Sequence, residues 1–474
     1  MSAAALLIDL GSTYTKVRAI DLENPRILGA GQGPSTVTTD VTVGLAKALA
    51  DLERGMGERR EFTYRLASSS AAGGLRMVTV GLVRELTAAA ARQAALGAGA
   101  RLVGTFAYKL TSADVARIAD LAPDIVLLAG GTDGGNEDVI LHNAASLAAC
   151  SVTCPVVLAG NRQAADEAAA RLDAGGSPVT VTENVMPEFG VLDIEPTRGA
   201  IRRIFIDRIV HAKGIDRAAE MLDRVLMPTP AAVLDGARLL ADGCGGRPGL
   251  GSLLVVDVGG ATTDVHSVAK GGPTRTEVVY RGLPEPYLKR TVEGDLGMRH
   301  NARSIVQAAG REALAGDAGL APERIEALAR LASEDVGRLP RSEEERAFDK
   351  ALARAAVGLA VKRHAGTLDT VHTATGPVTV QYGKDLSAVE TILGTGGALV
   401  HGPQPAAILK TALADDGDPF SLRPRTPRMV LDRDYILFAC GLLGAVEPDA
   451  ALTLGLAHMH PVADGPENGC SSAA

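Results

Sequence analysis

The chain contains no tryptophan, and only 3% of its 474 residues are aromatic. Ala, Gly, Val and Leu must therefore carry the packing. That composition suits tight parallel sheets covered by Ala-rich helices. Cysteine is also scarce: Cys150, Cys154, Cys244, Cys440 and Cys470 are the only five. They are odd in number and scattered, and no partner pair with zinc spacing accompanies Cys150 and Cys154. This excludes a disulfide scaffold and predicts reduced thiols. Positive charge is in deficit, with 48 Lys and Arg against 56 Asp and Glu and a formal net charge of -8. A nonspecific nucleic-acid binder is thereby excluded. No apolar run is long enough to span a bilayer, so no membrane partner is expected. The first residues enter a strand without a basic region or cleavage site, so a cytoplasmic location is expected. Hydrophobic content of 46% in this length is ample for two to four packed domains.

What is present is organised around Leu253-Leu254-Val255-Val256-Asp257-Val258-Gly259-Gly260-Ala261-Thr262-Thr263-Asp264-Val265. An apolar run ends in an aspartate, a bare Gly-Gly turn follows, and a second β-rich run returns. The pattern predicts a hairpin. Small residues let a phosphate approach, and the N–H groups of Gly259, Gly260 and Ala261 with the hydroxyls of Thr262 and Thr263 can hold it. Asp257 stands where a carboxylate would hold hydrated Mg²⁺. An ordinary glycine hairpin in a core sheet would read the same way.

The same pattern opens the chain at Leu6-Leu7-Ile8-Asp9-Leu10-Gly11-Ser12-Thr13-Tyr14-Thr15-Lys16-Val17. Asp9 aligns with Asp257, Gly11 with Gly259 and Thr15 with Thr263. A further pair of strand–glycine steps is expected to be related: Asp124 to Gly135, and Thr391 to Val400 with Gly394, Thr395, Gly396 and Gly397. The chain therefore reads as a duplicated α/β protein. Residues 1–245 form the first lobe, with extra α/β material over about 136–245. Residues 246–474 form the second, with a helical insertion over about 284–365.

Other stretches carry weaker signals. Ser69 and Arg76 flank a small-residue loop, read either as a tight connection or as a ligand contact. Asn161 follows a strand and reads as a turn residue more readily than a ligand contact. Helix Arg198 to Ala212 is basic on one face, which predicts solvated charge. Glu293 and Asp295 are candidates for orienting a water or metal, and Arg299 for reaching a phosphate. A long helix is expected from Ser342 to His364, capped at Ser342, with Ala347, Ala351, Ala355 and Leu359 as its apolar face.

The three motifs Asp9-x-Gly11, Asp257-x-Gly259-Gly260 and Gly394-x-Gly396-Gly397, in that order, resemble the actin, Hsp70 and sugar-kinase ATPase superfamily. The resemblance implies two duplicated α/β lobes around a nucleotide cleft. ATP or ADP would bind with Mg²⁺ held between Asp9 and Asp257. Gly11, Ser12, Thr13, Thr15 and Lys16 would meet the phosphates from one side and Gly259 to Thr263 from the other. Gly394 to Gly397 would line the adenosine site.

More closely, Asp9-Leu-Gly-Ser-Thr-Tyr-Thr-Lys16, Ser69 to Leu75, Ala129 to Asn136, Glu293-Gly-Asp-Leu-Gly-Met-Arg299, Arg363-His-Ala-Gly366 and Ile392 to Gly397 resemble the MutL (GlmL) accessory proteins of coenzyme-B12-dependent glutamate mutase. That family is unrelated to the mismatch-repair protein of the same name. The resemblance implies an ATP-binding helper that supports or reactivates the mutase, with the mutase subunits as partners and self-assembly left open. Asp9, Asp257 and Glu293 are the candidate catalytic residues. The competing class is a small-molecule enzyme, either a kinase with Asp133 or Asp264 as base, or a hydantoinase/oxoprolinase-like hydrolase.

Overall fold

The computed structural model describes residues 3–11, 14–36, 40–57, 60–69, 75–150, 153–210, 224–374 and 376–462. Two compact units result. One comprises 1–239, 282–289 and 437–454, the other 240–281, 290–436 and 455–474.

The first unit opens with strand β1, Ala4–Leu10, all seven of whose residues are buried. It pairs antiparallel with β2, Tyr14–Asp21, and β2 pairs antiparallel with β3, Arg26–Pro34. On its other side β1 pairs parallel with β4, Tyr64–Ser69, which pairs parallel with β10, Arg224–Pro228. The order is β3-β2-β1-β4-β10. Helix Val41–Met56 covers one face. Asp40 caps it by accepting from the Thr42 N–H, and Leu45, Ala48 and Leu52 pack onto Leu6, Ile8 and Val17. Helix Leu437–Gly444 packs on β1 and β4. It meets helix Thr229–Asp242 backbone to backbone: a Cβ on Gly236 would strike the Leu437 carbonyl, and one on Gly441 the Ala232 carbonyl.

A second sheet in this unit is wholly parallel: β5 (Leu75–Gly81), β6 (Ala100–Ala107), β7 (Ile125–Leu128), β8 (Val156–Leu158) and β9 (Val179–Val181). Its order, β6-β5-β7-β8-β9, is a doubly wound one. Apolar clusters cover both faces. The extra α/β material thus starts at Leu75, earlier than its sequence suggested.

The second unit repeats the plan of the first sheet. Strand β11, Leu253–Val258, pairs antiparallel with β12, Thr263–Val268, and parallel with β17, Thr391–Thr395. Parallel β18 (Arg428–Asp432) and antiparallel β19 (Met459–Pro461) follow. The order is β14-β12-β11-β17-β18-β19, with β14 spanning Leu288–Glu293. A small sheet of β13 (Val278–Arg281), β15 (Thr367–Thr373) and β16 (Gly376–Tyr382) completes the strands.

Laid side by side, β3-β2-β1-β4-β10 corresponds to β14-β12-β11-β17-β18. This is the duplicated α/β plan expected from the motifs. It also corrects one expectation. The partner of Thr391–Thr395 in the repeat is β4, beside β1, and not Asp124 to Gly135. That glycine loop follows β7 and belongs to the separate parallel sheet. Buried apolar strands ending in glycine look alike in sequence whichever sheet they join.

Helix Glu343–His364 spans the second unit's core. Ser342 caps it by accepting the Glu345 N–H at 3.1 Å. Glu343, Glu344 and Glu345 in its first turn and Lys362, Arg363 and His364 in its last suit the helix dipole. Its buried face is Phe348, Ala351, Leu352, Ala356, Val357, Ala360 and Val361, while Ala347, Ala355 and Leu359 are only partly covered. Among the described residues no helix is long and apolar enough to cross a membrane, and no disulfide joins the cysteines.

Candidate functional site

In the second unit the turn after β11 closes with the Gly259 N–H donating to the Thr262 carbonyl at 3.0 Å. Behind it runs the Glu293-Gly-Asp-Leu-Gly-Met-Arg299 stretch. The N–H groups of Met298, Arg299 and His300 donate to the carbonyls of Gly259, Gly260 and Gly260 at 3.1, 2.9 and 3.0 Å. Asn301 Nδ2 donates to the Ala261 carbonyl at 3.0 Å. Gly297 lies so close that a Cβ would strike Ala261, and the buried Met298 anchors the strap in the core. The consequence is electrostatic. In a trans peptide, C=O and the next N–H point in opposite directions. Three carbonyls drawn back into the strap turn the N–H groups of Gly260, Ala261 and Thr262 to the opposite side. Successive N–H groups facing one way form an anion-binding concavity.

The strap is itself held. Arg363 Nη1 donates to Glu293 Oε2 and Asp295 Oδ1, both at 2.7 Å, and Nη2 donates to Asp295 Oδ2 at 2.9 Å. These bonds hold the Asp295 carboxyl below the usual carboxylate range, against a smaller effect of burial. Glu293, expected at the chemistry, is therefore an anchored residue. Arg299 is engaged as well, by Asp349 at 3.1 and 2.6 Å and by the Arg338 carbonyl at 3.2 Å. The Thr263 hydroxyl donates to the Leu296 carbonyl at 2.7 Å, which fastens the strap a second time.

Asp257 is half-buried near the end of β11 and faces Thr395 in register. Gly396, at φ 94°, passes immediately behind it. A Cβ there would strike the Val258 carbonyl and lie 2.8 Å from Val258 N and 2.9 Å from Asp257 Oδ1. Gly394 is packed among Leu399, Leu409 and Leu431, so its missing side chain serves the core. Gly397 is exposed, with nothing within 4 Å of a Cβ.

The first unit builds the matching corner. Asp9 is buried at 7% exposure and faces Ser68 in register, as Asp257 faces Thr395. The Thr229 hydroxyl donates to Asp9 Oδ1 at 2.6 Å, and the Ser68 hydroxyl to the same oxygen at 3.3 Å. Burial pushes the Asp9 carboxyl up, and the Lys16 ammonium, opposite it across the hairpin, and these hydroxyls oppose the rise. The Gly11 carbonyl accepts the Ser35 hydroxyl at 2.6 Å, as the Gly259 carbonyl accepts the strap. Thr15 is buried opposite Leu10. Ser12 and Thr13 lie outside the described residues, as do residues 70–74 of the loop after Ser69.

Two residues here were missed in the sequence. Ser68 was hidden one place before Ser69. Thr229 comes some 220 positions after Asp9, and no motif flags it. Arg76 is structural, with its N–H on Asp124 and its guanidinium on the Leu121 carbonyl. Asn161 is buried, capping Gln163 and bonding the Gly134–Asn136 loop. The basic helix face proved partly internal. Arg198 is 3% exposed and bonds Glu195 and the Leu288 carbonyl, and Arg202 pairs with Asp235.

The family model described as MutL protein matches residues 5–459. The chain is also 47% identical over 452 residues to Protein MutL of Clostridium tetanomorphum, covering 95% of this chain and 98% of that one. The chain belongs to the MutL family. Among solved structures, the MutL-family chain is similar to xylulose kinase from Bifidobacterium adolescentis, at 14% identity and TM-score 0.32, covering 99% of this chain and 97% of that one. ROK hexokinase from Thermus thermophilus shares 14% identity at TM-score 0.29, covering 95% and 97%. These likenesses are distant, and the fold of the MutL-family chain is read from its own strand order.

Proposed function

We propose that this MutL-family protein binds ATP and ADP with Mg²⁺ and, through its nucleotide state, supports or reactivates a coenzyme-B12-dependent mutase of the glutamate (methylaspartate) class. The observation that carries the nucleotide part is the strapped turn at Gly259–Thr262. Its carbonyls are withdrawn and its N–H groups share one side, the arrangement a phosphate requires. The second hairpin, with Asp9 and Gly11 in the equivalent places, supports it. The mutase part rests on family membership and on the motifs that resemble the glutamate-mutase accessory proteins.

The donor chemistry at Asp9 and Asp257 fits Mg²⁺, which prefers carboxylate and water oxygen. Asp9 in particular is a buried carboxylate whose charged form is disfavoured by burial, and a nearby cation offsets that cost. Bound there, the ion would neutralise phosphate charge. Glu293 acts in this reading as a positioning residue for the strap, through Arg363.

The competing enzyme reading needs a base ready to take a hydroxyl proton. Asp264 is instead held by Arg290 at 2.8 Å and by the Thr262 hydroxyl at 2.9 Å. Asp133 accepts Asn184 Nδ2 at 2.9 Å and the Arg162 N–H at 3.1 Å. Both carboxylates are thus already engaged, which favours the accessory reading.

The test is co-purification with glutamate mutase, followed by rescue of the inactivated enzyme with ATP. An Asp257→Ala variant is expected to fold, bind nucleotide weakly and fail to rescue. Rescue equal to that by the unmodified protein refutes the ATP-driven part.

A further inference from the structure

Away from the β11–β12 hairpin, at the far edge of the second unit's sheet, lies a group of side chains that no step above uses. Strand β19 is the edge strand, paired antiparallel with β18 so that Leu431 faces His460 and Asp432 faces Met459. Side chains alternate along a strand, so His460 falls on the face opposite Met459, and His458 is the turn residue just before the strand. Met459 is buried at 8% exposure, which fixes the register and directs the His460 imidazole away from the core. Just past the end of β18 the chain turns sharply. Asp432 Oδ1 accepts the Ile436 N–H at 2.8 Å, and Tyr435 sits at φ 51°, a left-handed conformation that a tyrosine rarely takes. The Tyr435 ring also rests against His401, centroid to centroid 5.9 Å. This turn delivers Asp434 to the two histidines.

The three side chains converge on one point. His458 Nδ1 lies 2.6 Å and His460 Nε2 3.2 Å from the same oxygen, Asp434 Oδ2. The three ligand atoms lie within 4.8 Å of one another. The His458 and His460 rings stand edge to face, with interplanar angle 88° and centroids 6.4 Å apart. Each group is partly covered, at 23%, 41% and 39% side-chain exposure for His458, His460 and Asp434. That is enough shelter to exclude bulk solvent from one side and enough opening to admit an ion. Burial works to raise the Asp434 pKa, but hydrogen bonds from both imidazoles hold the carboxyl below its usual range.

We propose that Asp434, His458 and His460 form a binding site for a borderline divalent transition-metal ion of the Zn²⁺ class. Two imidazoles and one carboxylate match the donor preference of Zn²⁺, Co²⁺ or Ni²⁺, and a hard-oxygen ion such as Mg²⁺ or Ca²⁺ would choose other partners. In a tetrahedral site with bonds of about 2.0–2.1 Å, neighbouring ligand atoms stand roughly 3.3 Å apart. His460 Nε2 and Asp434 Oδ2 already have that spacing. His458 Nδ1 must withdraw from Asp434 by less than about 1 Å, and the two ring nitrogens, within 4.8 Å of each other, must settle at the same spacing. Three protein ligands leave one tetrahedral position for water or a small anion. The ion would staple the edge strand β19 to the β18 turn.

The test uses the full chain stripped with a chelator and titrated with Co²⁺, read by its visible d–d absorption, and with Zn²⁺ in competition. One equivalent with a tetrahedral Co²⁺ spectrum is expected. The Zn²⁺-loaded protein should also unfold at higher temperature than the stripped one. His460→Ala, on the exposed side of an edge strand, should fold as the unmodified protein does. It should weaken binding more than about tenfold, since even residues that only support metal ligands are worth roughly 10–100-fold. His458→Ala with His460→Ala should abolish the spectrum. No saturable first equivalent in the unmodified chain overturns the proposal. So does unchanged affinity in His460→Ala, which decides the matter if the double variant fails to fold. The cluster is then a hydrogen-bonded carboxylate–histidine group alone.

Discussion

The step from β17 into the following short helix offers a paired experiment on neighbouring glycines. Gly396 stands at φ 94° with no room for a Cβ against Val258, and Gly397 has open space around it. Gly396→Ala would add two costs. A left-handed conformation costs an L-residue about 1–2 kcal/mol, and overpacking a tight site costs about 1–3 kcal/mol. The sum, about 2–5 kcal/mol, lowers the melting temperature by some 2–4 °C per kcal/mol in a unit of roughly 150–250 residues. A drop of about 4 °C or more is expected without nucleotide. Gly397→Val adds no clash and narrows the unfolded ensemble, so its melting temperature without nucleotide should hold or rise slightly. Its effect should appear only with nucleotide. Ligand at 100 times its Kd stabilises by about 2.7 kcal/mol, and a side chain at the exposed Gly397 would remove most of that if ATP packs there. The assay is thermal unfolding of both variants with and without Mg-ATP. Full ATP protection in Gly397→Val would refute the nucleotide assignment of this step. A Gly396→Ala variant as stable as the unmodified protein would refute the close approach to Val258.

Three further outcomes follow from the same geometry. Asp9→Asn keeps an oxygen to accept the Thr229 hydroxyl but loses the charge, so the fold should persist while Mg²⁺-dependent protection by ATP falls; equal protection with and without the charge would remove Asp9 from the metal. Burial first, and Arg290 second, push the His266 imidazole down to about 3, with Asp264 opposing. The unfolded chain then binds the proton that the folded chain refuses. That contribution is whole above about pH 6.5 and lost as pH falls toward 3, about 2 kcal/mol by pH 5; urea unfolding of His266→Leu should show a flatter pH dependence, and an unchanged slope would sink the assignment. Arg363→Met should cost about 1 kcal/mol, because the guanidinium is 38% exposed and solvent screens it. Since Asp295 is held low, the pair's contribution is present above its unfolded pKa near 3.9 and fades below it; a cost undiminished in acid urea titrations would argue against the strap anchor.

Much of this architecture could be read from the sequence. Leu253–Val256 and Leu6–Ile8 are apolar without interruption, the mark of strands buried on both faces, and the glycine turns fix where they reverse. Ser342 and the charge gradient of the long helix are local signals, and both hold. Its buried face was misjudged, because alanines occur on every side and Phe348, Leu352 and Val361 decide the packing. The repeat was visible in the hairpins but not in its third strand, since Tyr64–Ser69 shares geometry with Thr391–Thr395 and no sequence pattern. The Glu293–Arg299 stretch was visible as unusual. Its use was not, because the strap acts through backbone N–H groups, which every residue but proline carries. Thr229 and the Asp434–His458–His460 group depend on contacts between distant segments, which spacing cannot reveal.

The helix Leu437–Gly444 belongs to the first unit although nearly the whole second unit precedes it in the chain. Its packing on β1 and β4, and its glycine contact with helix Thr229–Asp242, therefore cannot form while the first unit is being made. At about 5–20 residues per second, the roughly 200 residues between Leu239 and Leu437 take the ribosome on the order of 10–40 s. Throughout that interval the surface of β1 and β4 on which this helix packs lacks its cover. A ribosome-bound helper that shields apolar surface would find its target in this window, and stalling between the two segments would release a chain whose first sheet lacks that covering helix.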